Sequence, residues 1–96
     1  MSAYVIVEIK VSDPARYEQY KLLSPAAIAA AGGEFVVRGG QTEVLEGDWH
    51  PTRLVVLRFA DAAAARSFYD SPAYREARAA RAGATEFFNM VLVDGV

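Results

Sequence analysis

No cysteine occurs in the chain. Disulfides and thiolate-bound metals are thereby excluded. Histidine is nearly absent: His50 stands alone. One histidine without thiols argues against a dedicated zinc or haem site, so neither metal nor cofactor is expected. Excess positive charge is also missing. Ten basic residues face 12 acidic ones, for a net charge of −2, and the two signs are mixed along the chain. Nucleic acid and anionic membrane surfaces both call for clustered basic residues, so neither is an expected partner. No apolar run approaches the roughly 20 residues that span a bilayer. Met1-Ser2-Ala3-Tyr4 lacks the basic segment and apolar core of an export signal, and the cytoplasm is the expected location. No phosphate loop is present, because Gly32-Gly33 and Gly39-Gly40 lack the spacing and the Lys-Ser/Thr pair.

What the chain does have is apolar bulk. Of 96 residues, 53% are apolar, and 18 are alanines gathered mostly in two stretches. This length fits one domain, residues 1–96. A chain of this size buries little more than about 60% of its unfolded surface, so an apolar excess hints at cover from a partner.

Tyr4 to Val11 alternates, with Val5, Val7, Ile9 and Val11 on one face and Tyr4, Ile6, Glu8 and Lys10 on the other. This is a strand pattern. Asp13-Pro14 then opens a helix through Tyr17, Tyr20 and Leu23, because Asp caps well and proline loses nothing at the first helical position. Ser24-Pro25 repeats the signal and predicts a kink or restart before Ala26 to Ala31, which stops at Gly32-Gly33. Glu34 to Arg38 reads as a second strand. Thr42 to Glu46 either continues it after a bulge or forms a short strand of its own. Arg53 to Phe59 is a third strand. Asp61 caps a helix from Ala62 to Tyr69, Ser71-Pro72 restarts it from Ala73 to Ala82, and Thr85 to Val93 is the last strand. Ser24 and Ser71 read better as helix caps than as nucleophiles.

The two halves echo each other: strand, Asp cap, helix, Ser-Pro, alanine-rich helix, glycine, strand. A doubled βαβ predicts an α+β, ferredoxin-like βαββαβ fold. Its four-stranded antiparallel sheet would carry the helices on one face, with the first and third strands central. Strand parity assigns the bare face to Tyr4, Ile6 and Glu8; Val36 and Arg38; Leu54, Val56 and Arg58; and Phe87, Asn89 and Val91. Such a face is too apolar to meet water alone, and a homodimer paired through it is expected. The register is the sensitive point, because a slip of one residue moves a strand's whole set to the other side.

The chain resembles the proteins grouped as domain of unknown function 1330, within the dimeric α+β barrel superfamily. The resemblance rests on Tyr17-Glu18-Gln19-Tyr20, Gly32-Gly33, Arg38-Gly39-Gly40 and Leu45-Glu46-Gly47-Asp48-Trp49. It rests further on Pro51-Thr52-Arg53, Phe68-Tyr69-Asp70-Ser71-Pro72-Ala73-Tyr74, Arg81 and Val93-Asp94-Gly95. It implies a dimeric barrel of two ferredoxin-like chains and no particular activity. The wider superfamily includes cofactor-free monooxygenases, haem-degrading enzymes, isomerases and decarboxylases, yet none of their motifs occurs here.

Several side chains carry a functional and a structural reading together. His50, between Trp49 and Pro51, is a general acid or base at the barrel mouth, or a turn-holding histidine. Arg38, before two glycines, is an anion-binding fork or the partner of Glu8, Glu46 or another internal carboxylate. Arg53 joins it in a cationic lip, or is a solvated strand end. Tyr17 and Tyr20 share one helix face, as do Tyr74 and Arg81. These tyrosines, with Tyr69 and Trp49, either wall a ligand or pack the core. The leading expectation is a homodimer that binds a small organic anion in a cavity between sheet and helices. The alternatives are a non-catalytic dimerisation or interaction module, and a small cofactor-free oxygenase- or isomerase-like enzyme.

Overall fold

The computed structural model describes residues 1–96. Four strands form one antiparallel sheet: β1 (Ala3–Val11), β2 (Glu34–Arg38), β3 (Arg53–Phe59) and β4 (Thr85–Asp94), in the order β2-β3-β1-β4. Helices α1 (Pro14–Ala30), α2 (Ala62–Asp70) and α3 (Pro72–Ala80) supply the crossovers. Each half is a split βαβ: α1 links β1 to β2 across β3, and α2 with α3 links β3 to β4 across β1. The fold is the expected ferredoxin-like one, with β1 and β3 central. The molecule measures 34 × 32 × 16 Å. The short dimension matches one helix layer on one sheet and leaves the second sheet face bare.

Helix starts follow the capping chemistry. The Asp13 carboxylate accepts from the Arg16 N–H at 3.1 Å, and Asp61 accepts from that of Ala64 at 2.8 Å. Ser71 Oγ accepts from the Tyr74 N–H at 3.1 Å and separates α2 from α3. Ser24 behaves differently from expectation. It lies buried inside an unbroken α1 and caps nothing, and the helix passes through Pro25 without a restart. Tyr17, Tyr20, Ser24, Ala27 and Ile28 form one buried stripe on α1, and that packing outweighs the single backbone bond lost at the proline.

Two further expectations are corrected on the way to β3. Thr42 to Glu46 forms no strand, and the stretch from Gly39 to Thr52 is an exposed connection without regular structure. In β2 the register shifts between Phe35 and Val37, where a bulge leaves Val36 unpaired. Arg38 therefore lies opposite Val55 on the helix side, while Val37 lies opposite Val56 on the bare side. One inserted residue has moved Arg38 from the face that simple alternation assigns it.

The core between helices and sheet gathers Val5, Val7, Ile9, Leu57, Phe59, Phe68 and Tyr74. Gly33 enters β2 beneath this layer. A Cβ there would stand 2.5 Å from the Phe59 ring and 2.9 Å from Ile28. Gly33→Ala is expected to destabilise the fold by about 1–3 kcal/mol, the usual range for overpacking. Denaturant titration of the variant checks this, and an unchanged midpoint would contradict the packing.

Candidate functional site

On the helix side, β4 presents Phe88, Met90 and Leu92, lying opposite Ile9, Val7 and Val5 of β1. Helix α2 and the end of α3 stand above this half of the sheet and leave a cavity of about 370 Å³. Its walls are mainly apolar: Val5, Ala65, Phe68, Phe88, Met90 and Leu92. Arg66, Tyr69, Asp70 and Arg81 supply its polar atoms. A second hollow of about 30 Å³ lies under α1, where Tyr17, Tyr20 and Ser24 face Val7, Ile9 and Val55. Arg38 and Arg53 also line it.

Helix α3 aims one row at the interior. Tyr74, Arg78 and Arg81 fall at i, i+4 and i+7 and so share a face. The Arg81 guanidinium lies 3.6 Å from the Phe88 ring centroid and 5.5 Å from that of Tyr20. Arg78 covers Tyr69 at 4.2 Å. Arg38 covers Phe35 at 4.4 Å. Arg53 packs against Gly39, whose φ of +68° and missing Cβ leave room for the guanidinium. The Nε atoms of Arg53, Arg78 and Arg81 are buried without a hydrogen-bond partner. A buried donor left unmade is costly, and it marks where an acceptor would be welcome.

Tyr20 and Tyr74 meet hydroxyl to hydroxyl at 2.7 Å and satisfy each other inside the core. Burial pushes the Tyr20 phenol far above its ordinary value, and the neighbouring Tyr74 charge and hydrogen bond add to the effect. Tyr74 is raised by burial, against opposition from its bond to Tyr20 and from the Arg81 charge. Tyr17 is raised by burial too, with Arg53 opposing. All three phenols are protonated at neutral pH and are not bases there. A raised folded pKa contributes stability that is complete below the unfolded value, about 10 for tyrosine. Above it the unfolded chain releases protons first, so stability falls as pH rises towards the folded values. The melting temperature is expected to drop above about pH 10, less steeply in the double variant Tyr20→Phe, Tyr74→Phe. Equal slopes for wild type and variant would refute the assignment.

The structure thus brings together Tyr17, Tyr20, Tyr69, Tyr74, Arg38, Arg53 and Arg81 on the helix side. It does not bring His50 or Trp49 to them. Both sit in the exposed connection, with Trp49 60% exposed, and neither lines either hollow. Arg38 pairs with neither Glu8 nor Glu46; the ion pairs are Lys10–Glu86, Lys21–Glu18 and Arg58–Glu34. Sequence reasoning missed Phe88, Met90, Leu92, Arg66, Asp70 and Arg78 as neighbours of the site. Arg78 was within reach, because it completes the spacing of Tyr74 and Arg81.

A family model described as domain of unknown function (DUF1330) matches residues 2–96. The chain belongs to that family. No curated protein is a match in sequence. Among solved structures, the DUF1330 chain is similar to a protein of unknown function from Rhodopseudomonas palustris, at 20% identity and a TM-score of 0.76, over 99% of this chain and 82% of that one. It is also similar to a dimeric ferredoxin-like protein of unknown function from Thermobifida fusca, at 20% identity and a TM-score of 0.66, covering 99% and 92%. SnoaB, a cofactor-independent oxygenase from Streptomyces nogalater, is similar at 19% identity and a TM-score of 0.69, covering 99% and 93%. At such identities the likeness is one of fold.

Proposed function

We propose that this DUF1330 protein is a single-domain homodimer in which each protomer binds a small organic anion in the cavity between sheet and helices. The observation that carries the ligand reading is Arg81, a guanidinium in the wall of an apolar cavity with a buried, unpartnered Nε. A cavity of about 370 Å³ falls at the small end of the range for ligand sites. Its apolar walls suit a ring or short hydrocarbon body. Arg81, held over the Phe88 ring, suits a carboxylate, which a guanidinium meets with short charge-assisted bonds.

The homodimer reading rests on the bare sheet face. Tyr4, Ile6, Leu54, Val56 and Phe87 are half-buried there, and Val91 is 56% exposed. Contiguous apolar surface of this kind marks an interface, and a second copy of the same face closes it by a twofold axis. The Thermobifida fusca neighbour is described as dimeric. The interaction-module alternative shares this face but assigns no task to the cavity.

Two measurements test the proposal. Sedimentation of the wild type should give twice 10.4 kDa, and Val91→Glu should give a folded monomer, since Val91 supports no core packing of its own. A wild-type monomer would sink the dimer. For the cavity, 1-naphthoate should raise the melting temperature of the wild type while its methyl ester does not. Arg81→Ala should weaken naphthoate binding at least tenfold, as loss of a charged hydrogen bond worth about 1.5–3 kcal/mol implies. Equal binding of acid and ester would defeat the anion reading.

A further inference from the structure

The two hollows on the helix side are neighbours, and Phe88 and Met90 line both. The Phe88 ring stands edge-on to Tyr20, with centroids 5.7 Å apart and planes at 75°. Its face carries Arg81. On the far side lies the hollow under α1, whose volume of about 30 Å³ holds little more than a water molecule. That hollow nevertheless ends on a second arginine of the same kind as the first. Arg53 has a buried Nε without a partner and lies beside the Tyr17 phenol. A lone solvated strand end would not bury that nitrogen.

We infer that Phe88 is the specificity-determining partition of the ligand cavity and sets the length of the acid the cavity accepts. The inference rests on the binding reading proposed above. With the ring in place, a ligand body fills the larger cavity and its acid group stops at Arg81. With the ring removed or turned aside, the two hollows join. A longer acid then runs beneath α1 and its carboxylate reaches Arg53 and Tyr17. Arg81 and Arg53 are alternative anion anchors at two depths, and Phe88 decides which is reached. The ring is held by edge contact with Tyr20 and by the guanidinium on its face, both weak contacts. A ligand can displace a side chain held so lightly.

The test uses phenylacetate, 4-phenylbutyrate and 6-phenylhexanoate with their methyl esters, and calorimetric titration of the full chain. The wild type should prefer the shorter acids. Phe88→Ala should bind 6-phenylhexanoate at least tenfold more tightly than the wild type does, and the gain should vanish when Arg53→Ala is added. Phe88→Leu, which keeps apolar bulk, is the second variant should Phe88→Ala unfold, and a smaller gain in the same direction is expected. Phe88→Trp should sharpen the preference for phenylacetate. If the acids bind through Arg81 but the length preference is the same in all Phe88 variants, the partition is refuted and the binding reading survives. If no acid binds more tightly than its ester in any variant, both fall together.

Discussion

The bond between the Tyr20 and Tyr74 hydroxyls is the constraint on which the helix side depends. Two phenols are buried under separate helices, and neither has water to turn to. Each satisfies the other, which fixes α1 against α3. Tyr74 also packs at a tilt against Phe68, with centroids 4.3 Å apart, so α2 joins the same aromatic layer. Phe68 in turn walls the cavity that α2 covers over β1 and β4. Arg81 follows from the same placement, since it caps the C-terminus of α3 about two turns beyond Tyr74 and continues the row that Tyr74 begins.

Much of this fold is legible in the amino-acid sequence. Alternation in Tyr4 to Val11 and in Arg53 to Phe59, with caps at Asp13, Asp61 and Ser71, places the elements within a residue or two. What escapes is whatever local chemistry leaves undecided. Ser24-Pro25 and Ser71-Pro72 carry one signal with two outcomes. Ser71 is extended and starts a helix, whereas Ser24 is buried on a helix held straight through by its core-facing stripe. Tertiary packing separates them, and a dipeptide does not record it.

The site was legible in part for the same reason. The tyrosines of α1 and α3 could be placed by helical spacing. Arg38 could not, because a single unpaired residue at Val36 reverses the face on which everything after it lies. Parity also assigned Arg38 and Arg58 to the bare sheet face. The arginines with unsatisfied buried nitrogens, Arg53 on β3 and Arg78 and Arg81 on and after α3, belong to the helix side. Their placement depends on cross-strand register and helix height, both long-range properties.

The ion pair between Arg58 and Glu34 spans β3 and β2 at the rim of the bare face. Lys10 and Glu86 form another across β1 and β4 at 3.0 Å. Both pairs are neutralised inside one protomer, which leaves Glu8 as the carboxylate of that face without a cation beside it. It accepts a long 3.4 Å bond from the Thr52 N–H instead. Apart from Glu8, the charges of this face are matched within the protomer, and such a surface throws little field into solution. Two such faces would find each other by unassisted diffusion, at the ordinary rate of about 10⁵–10⁶ M⁻¹s⁻¹ for encounters without electrostatic steering. Added salt would then change that encounter rate very little, and the lifetime of the assembled pair would rest on apolar burial.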